Sequence, residues 1–273
     1  MLLTVHNRKE KTVNCLNTLR SQLPVENWET DVYMTDDGCT DGTAASAREA
    51  FPGIRIIQGD GNLYWAGGMR KAWAEAAKGD YDAYIWLNDD TELLPGAMEE
   101  LLGTHLPHPD AILVGSTRGT DGSPRTTYGG TDENDDRIPP DGTLRTCDTF
   151  NGNIVLIPGS VYRRLGNIDP VYSHSLGDAD YGMAAKRAGI ERLIMPRHLG
   201  ICDNNPQPPK WMRPGVPMRE KIKNLFSPLG YMNPREYYHF KKKFYGRGRA
   251  ALAICSVFLL LIAPGLWHKI RKR

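Results

Sequence analysis

The stretch AYIWLNDDTEL, residues 83–93, sets the reading of this chain. Ala83-Tyr84-Ile85-Trp86-Leu87 is an apolar run of strand length that stops at one amide and two carboxylates, Asn88-Asp89-Asp90. A short continuous apolar run fits a buried strand. The adjacent carboxylates at its tip repel, so something offsets the repulsion. A divalent cation would do so, since Mg²⁺ and Mn²⁺ prefer carboxylate oxygens. A solvated turn rich in Asn and Asp is the other reading.

The sequence on either side decides what kind of sheet this strand joins. Leu2 to Val5 is strand-like, and residues 9–22 carry Val13, Leu16 and Leu19 on one helical face. Val32-Tyr33-Met34 is a strand ending at Asp36-Asp37-Gly38, followed by a helix from Asp41 to Ala50 with Thr40 or Asp41 as N-cap. Ile54 to Ile57 is a third strand. Met69, Ala72, Trp73 and Ala76 then fall at i, i+3, i+4 and i+7 of a helix that Gly79 ends. Strands alternating with helices predict a parallel sheet with helices on both faces. Such sheets hold ligands beyond the carboxyl ends of their strands. His6-Asn7-Arg8, Asp36-Asp37, Gly59-Asp60-Gly61-Asn62 and Asn88-Asp89-Asp90 all fall at strand ends. Any one of them fits plain turn chemistry; four at one edge point to a ligand site.

The pattern changes past residue 110. Strands are predicted at 111–115, 125–129 and 152–157 around a Gly/Asp/Pro-rich loop at 131–143. A helix begins near Asp178, with Tyr181, Ala184, Ala185 and Ala188 on one face and Gly189 as its stop. Residues 203–217, rich in Pro and Asn, read as a mobile loop. No internal repeat is visible. Lys and Arg number 34 against 32 Asp and Glu, a net charge of +2, which gives no global case for nucleic acid as a partner. The 5 cysteines form no CxxC pair, which argues against a zinc site and a disulfide framework and fits a reducing compartment. The N-terminus has no signal-peptide layout.

The stretches HNRKEKTVNCL, TDDGCTDGT, GDGNLYWAGGMRKAW, WLNDDTEL and GDADYGMAAKRAG, in this order, resemble family-two glycosyltransferases of GT-A fold. The likeness is nearest to bacterial enzymes of rhamnosyltransferase type and covers about residues 1–202. It implies an α/β fold with a doubly wound, mostly parallel sheet. Residues 1–110 would form the Rossmann-like nucleotide-sugar half, and 111–202 the acceptor and catalytic-base half. A loop and basic helical extension would follow at 203–249, and a membrane-associating tail at 250–273. The implied activity is metal-dependent, inverting sugar transfer in bacterial surface polysaccharide synthesis. The donor would be a dTDP- or UDP-linked sugar, and the acceptor a glycan or lipid-linked molecule at the cytoplasmic face of the inner membrane.

The resemblance assigns roles residue by residue. Its Asp-x-Asp element falls on Asn88-Asp89-Asp90, with Asp90 as the ligand of Mg²⁺ or Mn²⁺, which would neutralise the departing nucleoside diphosphate. Asn88 departs from the pattern. Asp178 falls on the base that deprotonates the acceptor hydroxyl, with Gly177 in place of a Glu, and Asp180 is the second candidate. A base on the face opposite the leaving group suits an inverting displacement. Both acids also fit an N-cap and a first-turn acid. The donor-binding set is His6, Asn7, Arg8, Asp36, Asp37, Asn62, Trp65, Gly67, Gly68, Arg70, Asn88 and Asp89. Asp37 can accept from a base N–H or a ribose hydroxyl, or cap the turn before Asp41. Gly67 and Gly68, read as preceding a helix, let backbone N–H groups approach a diphosphate. Arg70, read as first-turn, is a cation set against the helix dipole. Trp65 suits the donor pocket, the acceptor or the core. Asn151-Gly152-Asn153 suits the acceptor pocket or a turn, while His174 and His198 read as structural.

Residues 250–267 carry no charge, and Lys241-Lys242-Lys243, Arg247, Arg249 and the cations at 269 and 271–273 flank them. A spanning helix needs ~20 apolar residues, and Pro264-Gly265 interrupts this run. An interfacial helix with Trp267 at headgroup level fits, as does a docked core helix. Two other functions stay open. A sugar nucleotidyltransferase would carry a Gly-rich loop where HNRKEK stands. An inactive, membrane-attached glycan-binding protein would fit the departures at Asn88 and Gly177.

Overall fold

A computed structural model describes residues 1–204, 207–265 and 267. The first half comprises β1 (Leu2–Val5), α1 (Lys9–Arg20), β2 (Tyr33–Asp36), α2 (Thr43–Ala50), β3 (Arg55–Gln58), α3 (Tyr64–Ala76), β4 (Ala83–Leu87), β5 (Glu92–Leu93) and α4 (Ala97–His105). The second comprises β6 (Ile112–Arg118), β7 (Thr126–Tyr128), β8 (Gly130–Thr131), β9 (Arg145–Thr146), β10 (Thr149–Phe150), β11 (Ile154–Pro158), α5 (Gly159–Leu165), α6 (Gly177–Arg187) and β12 (Arg192–Ile201). Three helices follow: α7 (Met218–Leu225), α8 (Pro234–Tyr245) and α9 (Arg247–Ile262).

The main sheet runs β3-β2-β1-β4-β11-β6-β12-β5. β1 to β4 are parallel, as the alternation predicts. β11 enters antiparallel between β4 and β6, so the two halves share one sheet. The strand that opens the sequence reading is buried on both sides. Its period of two sends Tyr84 and Trp86 into one core with Trp73 and Tyr181, and Ile85 and Leu87 into another with Leu16 and Leu101. Trp73 packs its indole against Tyr84, Trp86, Tyr162 and Tyr181.

The structure changes the reading of three segments. Gly67 and Gly68 do not precede a helix; they lie buried within α3. A Cβ on Gly68 would stand 1.9 Å from Thr4 Oγ1, so this glycine lets α3 lie directly on β1. The Gly68 carbonyl also accepts from Thr35 Oγ1 at 2.8 Å. Gly68→Ala is expected to cost about 2–3 kcal/mol and lower the melting temperature by roughly 5–10 °C. A melt within about 1 °C of the parent would refute this packing role.

The segment at 203–217 is anchored where it is described. Trp211 is 1% exposed, and its Nε1 donates to the Tyr231 carbonyl at 2.9 Å. It forms a small core with Leu225 and with Val257 and Leu261 of α9.

The C-terminal helices also pack on the domain. Phe240 and Phe244 of α8 enter the large core, and Glu236 accepts from the Ser173 N–H at 3.2 Å. Among the described residues no helix is long and apolar enough to cross a membrane. α9 has 16 residues, about 24 Å at 1.5 Å per residue, against a hydrocarbon core of ~30 Å. Arg247 and Arg249, expected to flank the run, lie in its first turn, and the Trp267 indole donates to Ser256 Oγ at 2.7 Å. The cations at 269 and 271–273 lie outside the described residues.

Candidate active site

A cavity of about 440 Å³ opens beyond the carboxyl ends of β1, β2 and β4, lined by His6, Arg8, Asp37, Tyr64, Trp65, Asp89 and His174. A roomier hollow of about 960 Å³ lies at the opposite, amino ends, between residues 26–31, 80–82 and 105–109. It meets none of the four strand-end clusters, so the chemistry points to the smaller cavity.

The loops place the acidic pair against a cation. Arg8 Nη1 donates to Asp90 Oδ2 at 2.8 Å and to Asp89 Oδ1 at 3.4 Å. Asp89 is 6% exposed, and its other oxygen accepts from Thr12 Oγ1 at 3.4 Å. Desolvation pushes Asp89 up to about 6, outweighing the attraction of Arg8. For Arg8 the balance is opposite: burial disfavours its charge, but Asp89 and Asp90 hold it more firmly protonated.

A divalent cation belongs to the chemistry the sequence implies, and this donor set bears on whether one fits. Asp90 Oδ2 already holds a cationic partner, and carboxylate oxygens are the ligands Mg²⁺ and Mn²⁺ prefer. Among the described residues no group of three or more His, Cys, Asp or Glu could hold a metal. Two carboxylates make only a partial ligand set, so an ion held by Asp89 and Asp90 would take its remaining oxygens from substrate phosphate and water, as Mg²⁺ commonly does.

Asn88 is otherwise engaged. Its Oδ1 accepts from Trp65 Nε1 at 2.7 Å, so the residue that breaks the acidic pattern orients the indole lining the cavity. Asp37 takes a role that neither sequence reading named. Its carboxylate accepts from the N–H groups of Gly61, Leu63 and Tyr64 at 2.9, 3.0 and 2.9 Å. It thus holds the β3–α3 loop and the start of α3 while lining the cavity. His6 Nδ1 lies 2.6 Å from the Asp37 carbonyl, and Asn7 Oδ1 accepts from the Thr40 N–H at 2.8 Å. Asp36 accepts from the Cys39 N–H at 2.8 Å. These contacts tie the first two strand-end loops together. Neither Thr40 nor Asp41 is the N-cap of α2: that position is Gly42, at φ +83°, and Asp41, one residue before it, accepts from the Thr43 N–H at 3.0 Å.

Asp178 is not among the residues lining the cavity, but is held close to Trp65 through Gly152. Its Oδ2 accepts from the Gly152 N–H at 3.0 Å and its Oδ1 from the Ala179 N–H at 2.8 Å. Gly152 lies under the Trp65 ring, where a Cβ would come within 2.4 Å of the indole. Asp178 is not the N-cap of α6; that position is Leu176, at φ +69°. Desolvation raises the Asp178 pKa against the pull of the two N–H groups. Gly177 follows from packing: a Cβ there would stand 3.1 Å from Ile168 and 3.2 Å from Ala66. A Glu there, as the resemblance suggested, would require the Ile168 and Ala66 side chains to give by a few tenths of an ångström.

Several expected residues stay outside the cavity. Asp180, the second candidate for the base, is 4% exposed and closed off by Lys243 Nζ at 2.6 Å and the Tyr172 hydroxyl at 2.8 Å. Arg70 lies in the second turn of α3 and donates to the carbonyls of Tyr172 and Asp169 at 3.3 and 3.5 Å. Asn62 is exposed, with its N–H on Asp60 Oδ1. His198 is structural as read, with Nε2 3.0 Å from Thr126 Oγ1. His174, read as loop filler, instead lines the cavity with its ring centroid 6.4 Å from that of Tyr64.

Sequence reasoning missed Tyr64 and Leu229 as lining residues. Tyr64 sits inside the stretch already singled out, next to Trp65. Leu229 comes from the α7–α8 connection, and no local pattern marks it.

The comparisons with known proteins agree with this architecture. The profile described as Glycosyl transferase family 2 matches residues 1–164. The N-acetylglucosaminyl-diphospho-decaprenol L-rhamnosyltransferase of Mycobacterium tuberculosis is 24% identical over 197 residues, covering 60% of this chain and 64% of that protein. The match therefore spans just under two thirds of the relative's length. The mannosyltransferase PcManGT from Pyrobaculum calidifontis, solved with GDP-Man and Mn²⁺, superposes with a TM-score of 0.56 at 13% identity, covering 98% of this chain and 81% of its own. S. aureus TarS superposes with a TM-score of 0.56 at 12% identity, covering 90% and 42%. At such identities the two structures speak for the fold alone. With its profile match spanning more than half its length, and strand-end clusters gathered on a GT-A sheet, the chain belongs to glycosyltransferase family 2.

Proposed function

We propose that this chain transfers a sugar from a nucleotide-sugar donor to a hydroxyl of a lipid-linked or glycan acceptor, with inversion. One observation carries the reading: the acidic pair and a desolvated carboxylate flank the same indole. Trp65 bonds Asn88, the neighbour of Asp89 and Asp90, while Asp178 is fixed through the Gly152 N–H beneath the ring. His6, Arg8 and Asp37 line the donor side. Asp90 and Asp89 would hold Mg²⁺ or Mn²⁺, which when bound supplies Lewis-acid neutralisation of the leaving diphosphate. Asp178, whose raised pKa suits a general base better than an ordinary carboxylate's, takes the acceptor proton.

The acceptor class rests on likeness. The mycobacterial relative is named for a decaprenol-linked acceptor, which supports a lipid-linked substrate and peripheral attachment at the cytoplasmic face of the inner membrane. The sequence segments 1–110, 111–202 and 203–249 remain part of this proposal as donor half, acceptor half and extension, with 250–273 as a C-terminal segment.

The test is a panel of dTDP-, UDP- and GDP-sugars scored by thermal stabilisation with and without Mn²⁺. At 100-fold excess over Kd a bound donor stabilises by about 2.7 kcal/mol. One nucleotide class is expected to raise the melt with Mn²⁺ and much less without it. No response to any nucleotide under either condition would remove the donor reading.

A further inference from the structure

We propose that the exposed face of α7 is a docking surface for an anionic lipid bilayer, set to bring a membrane-borne acceptor to the mouth of the cavity. Met218, Ile222 and Phe226 recur at i, i+4 and i+8 and are 45%, 44% and 52% exposed. Leu225, about 20° from Met218 on the wheel and on the side away from Ile222, is fully buried in one cluster with Trp211 and Val257, so the helix already has its inward anchor. The exposed stripe runs beside that anchor: Phe226, at the C-cap, meets the Phe258 ring at a centroid distance of 6.4 Å, while Met218 and Ile222 stay open to solvent. Arg219 and Lys223 border it on one side and Lys221 on the other. An apolar stripe edged by cations matches the apolar boundary and negative headgroups of an anionic bilayer.

The position of the stripe gives it a use. It continues through Phe226 to Leu229, 55% exposed, which itself lines the cavity beside Trp65 and Asp89. Tyr231, two residues on, is 41% exposed and lies near enough to Asp178 to feel its charge. A lipid-linked acceptor lying along α7 would reach the Asp178 side of Trp65. The role expected for the uncharged tail thus falls to a different element. Among the large apolar side chains of α9 only Leu252 and Ile262 are strongly exposed, and its Val257 and Leu261 are committed to the Trp211 core. This use rests on the donor-site reading above; the docking face does not.

The experiment is co-sedimentation of the full chain with vesicles of phosphatidylglycerol in phosphatidylcholine, against phosphatidylcholine alone. Binding is expected to favour the anionic vesicles and to weaken in 1 M salt, where the Debye length is ~3 Å. Met218→Gln with Ile222→Gln should lower partition at least about tenfold, because both side chains lose their apolar burial. Both positions are exposed, so the melt and donor hydrolysis should stay at parental values. Lys221→Ala with Lys223→Ala should remove the preference for phosphatidylglycerol. Leu252→Gln with Ile262→Gln should leave partition within about twofold. Parental partition of the Met218/Ile222 variant overturns the proposal, as does loss of binding only with the Leu252/Ile262 variant. Vesicle binding without any nucleotide response would keep the docking face and remove the donor reading, and nucleotide response without vesicle binding would do the reverse.

Discussion

Asp178→Asn is expected to lower sugar transfer on the order of 10³-fold while leaving donor affinity unchanged. Asp178 touches neither Arg8 nor the acidic pair, so the donor side should not register its loss. The fold should survive at modest cost. The carboxylate accepts two backbone N–H groups, from Gly152 and Ala179. An amide keeps one acceptor oxygen, so about one hydrogen bond is lost, worth ~1 kcal/mol. A second effect opposes this loss. The folded-state pKa of Asp178 is raised, so its contribution to stability is present at low pH and lost as pH rises through that pKa. The Asn variant lacks this loss, and its stability relative to the parent should improve as pH rises.

The same shift appears in the rate. Transfer needs the ionised base, so its acid limb should lie above the ordinary Asp value of about 3.9. Transfer by Asp178→Asn within about tenfold of the parent would place the base elsewhere. Asp180→Asn should act through stability, by weakening the contact with Lys243 that joins α6 to α8. A parent enzyme that binds donor but neither hydrolyses nor transfers it would instead support a glycan-binding protein without catalysis.

The second large effect is expected at Asp90. Asp90→Asn should weaken nucleoside diphosphate binding in Mn²⁺ by about 100-fold, with little change when Mn²⁺ is left out. The geometry motivates the contrast: Asp90 Oδ2 is the closest partner of the Arg8 guanidinium, which lines the cavity. The two acids should not behave alike. Asp89 is buried, bonded to Thr12 and raised to about 6 by desolvation, so Asp89→Asn should alter stability as well as binding. Titration calorimetry of nucleoside diphosphate with and without Mn²⁺ reads both. Equal affinity of the parent and Asp90→Asn in Mn²⁺ would remove the metal role from Asp90.

Much of the N-terminal half was legible because its signals are local. An apolar run ending in polar residues marks a buried strand and its tip, and the i, i+3, i+4 spacing of Met69 to Ala76 marks α3. Both depend on neighbours a few residues apart, and from them the parallel order of β1 to β4 and the ligand edge follow.

What each polar group does at that edge depended on distant partners. Asp37 could be read as a nucleotide ligand or a turn cap, yet three N–H groups from residues 61–64 claim its oxygens. Asp178 and Asp180 are indistinguishable as letters; Lys243, 63 residues away, closes one and leaves the other beneath Trp65. The glycines of GNLYWAGG suggested a phosphate loop, but at Gly68 the missing Cβ serves the contact of α3 with Thr4. The uncharged run at 250–267 suggested a membrane contact; the fold buries its Val257 and Leu261 against Trp211 and leaves Met218 and Ile222 of α7 exposed. Local periodicity by itself determined the parallel order of β1 to β4, and the family was legible through the resemblance carried by five motif stretches. Only tertiary structure decided which carboxylates stay available, because availability is set by hydrogen bonds and desolvation from segments far apart in the chain.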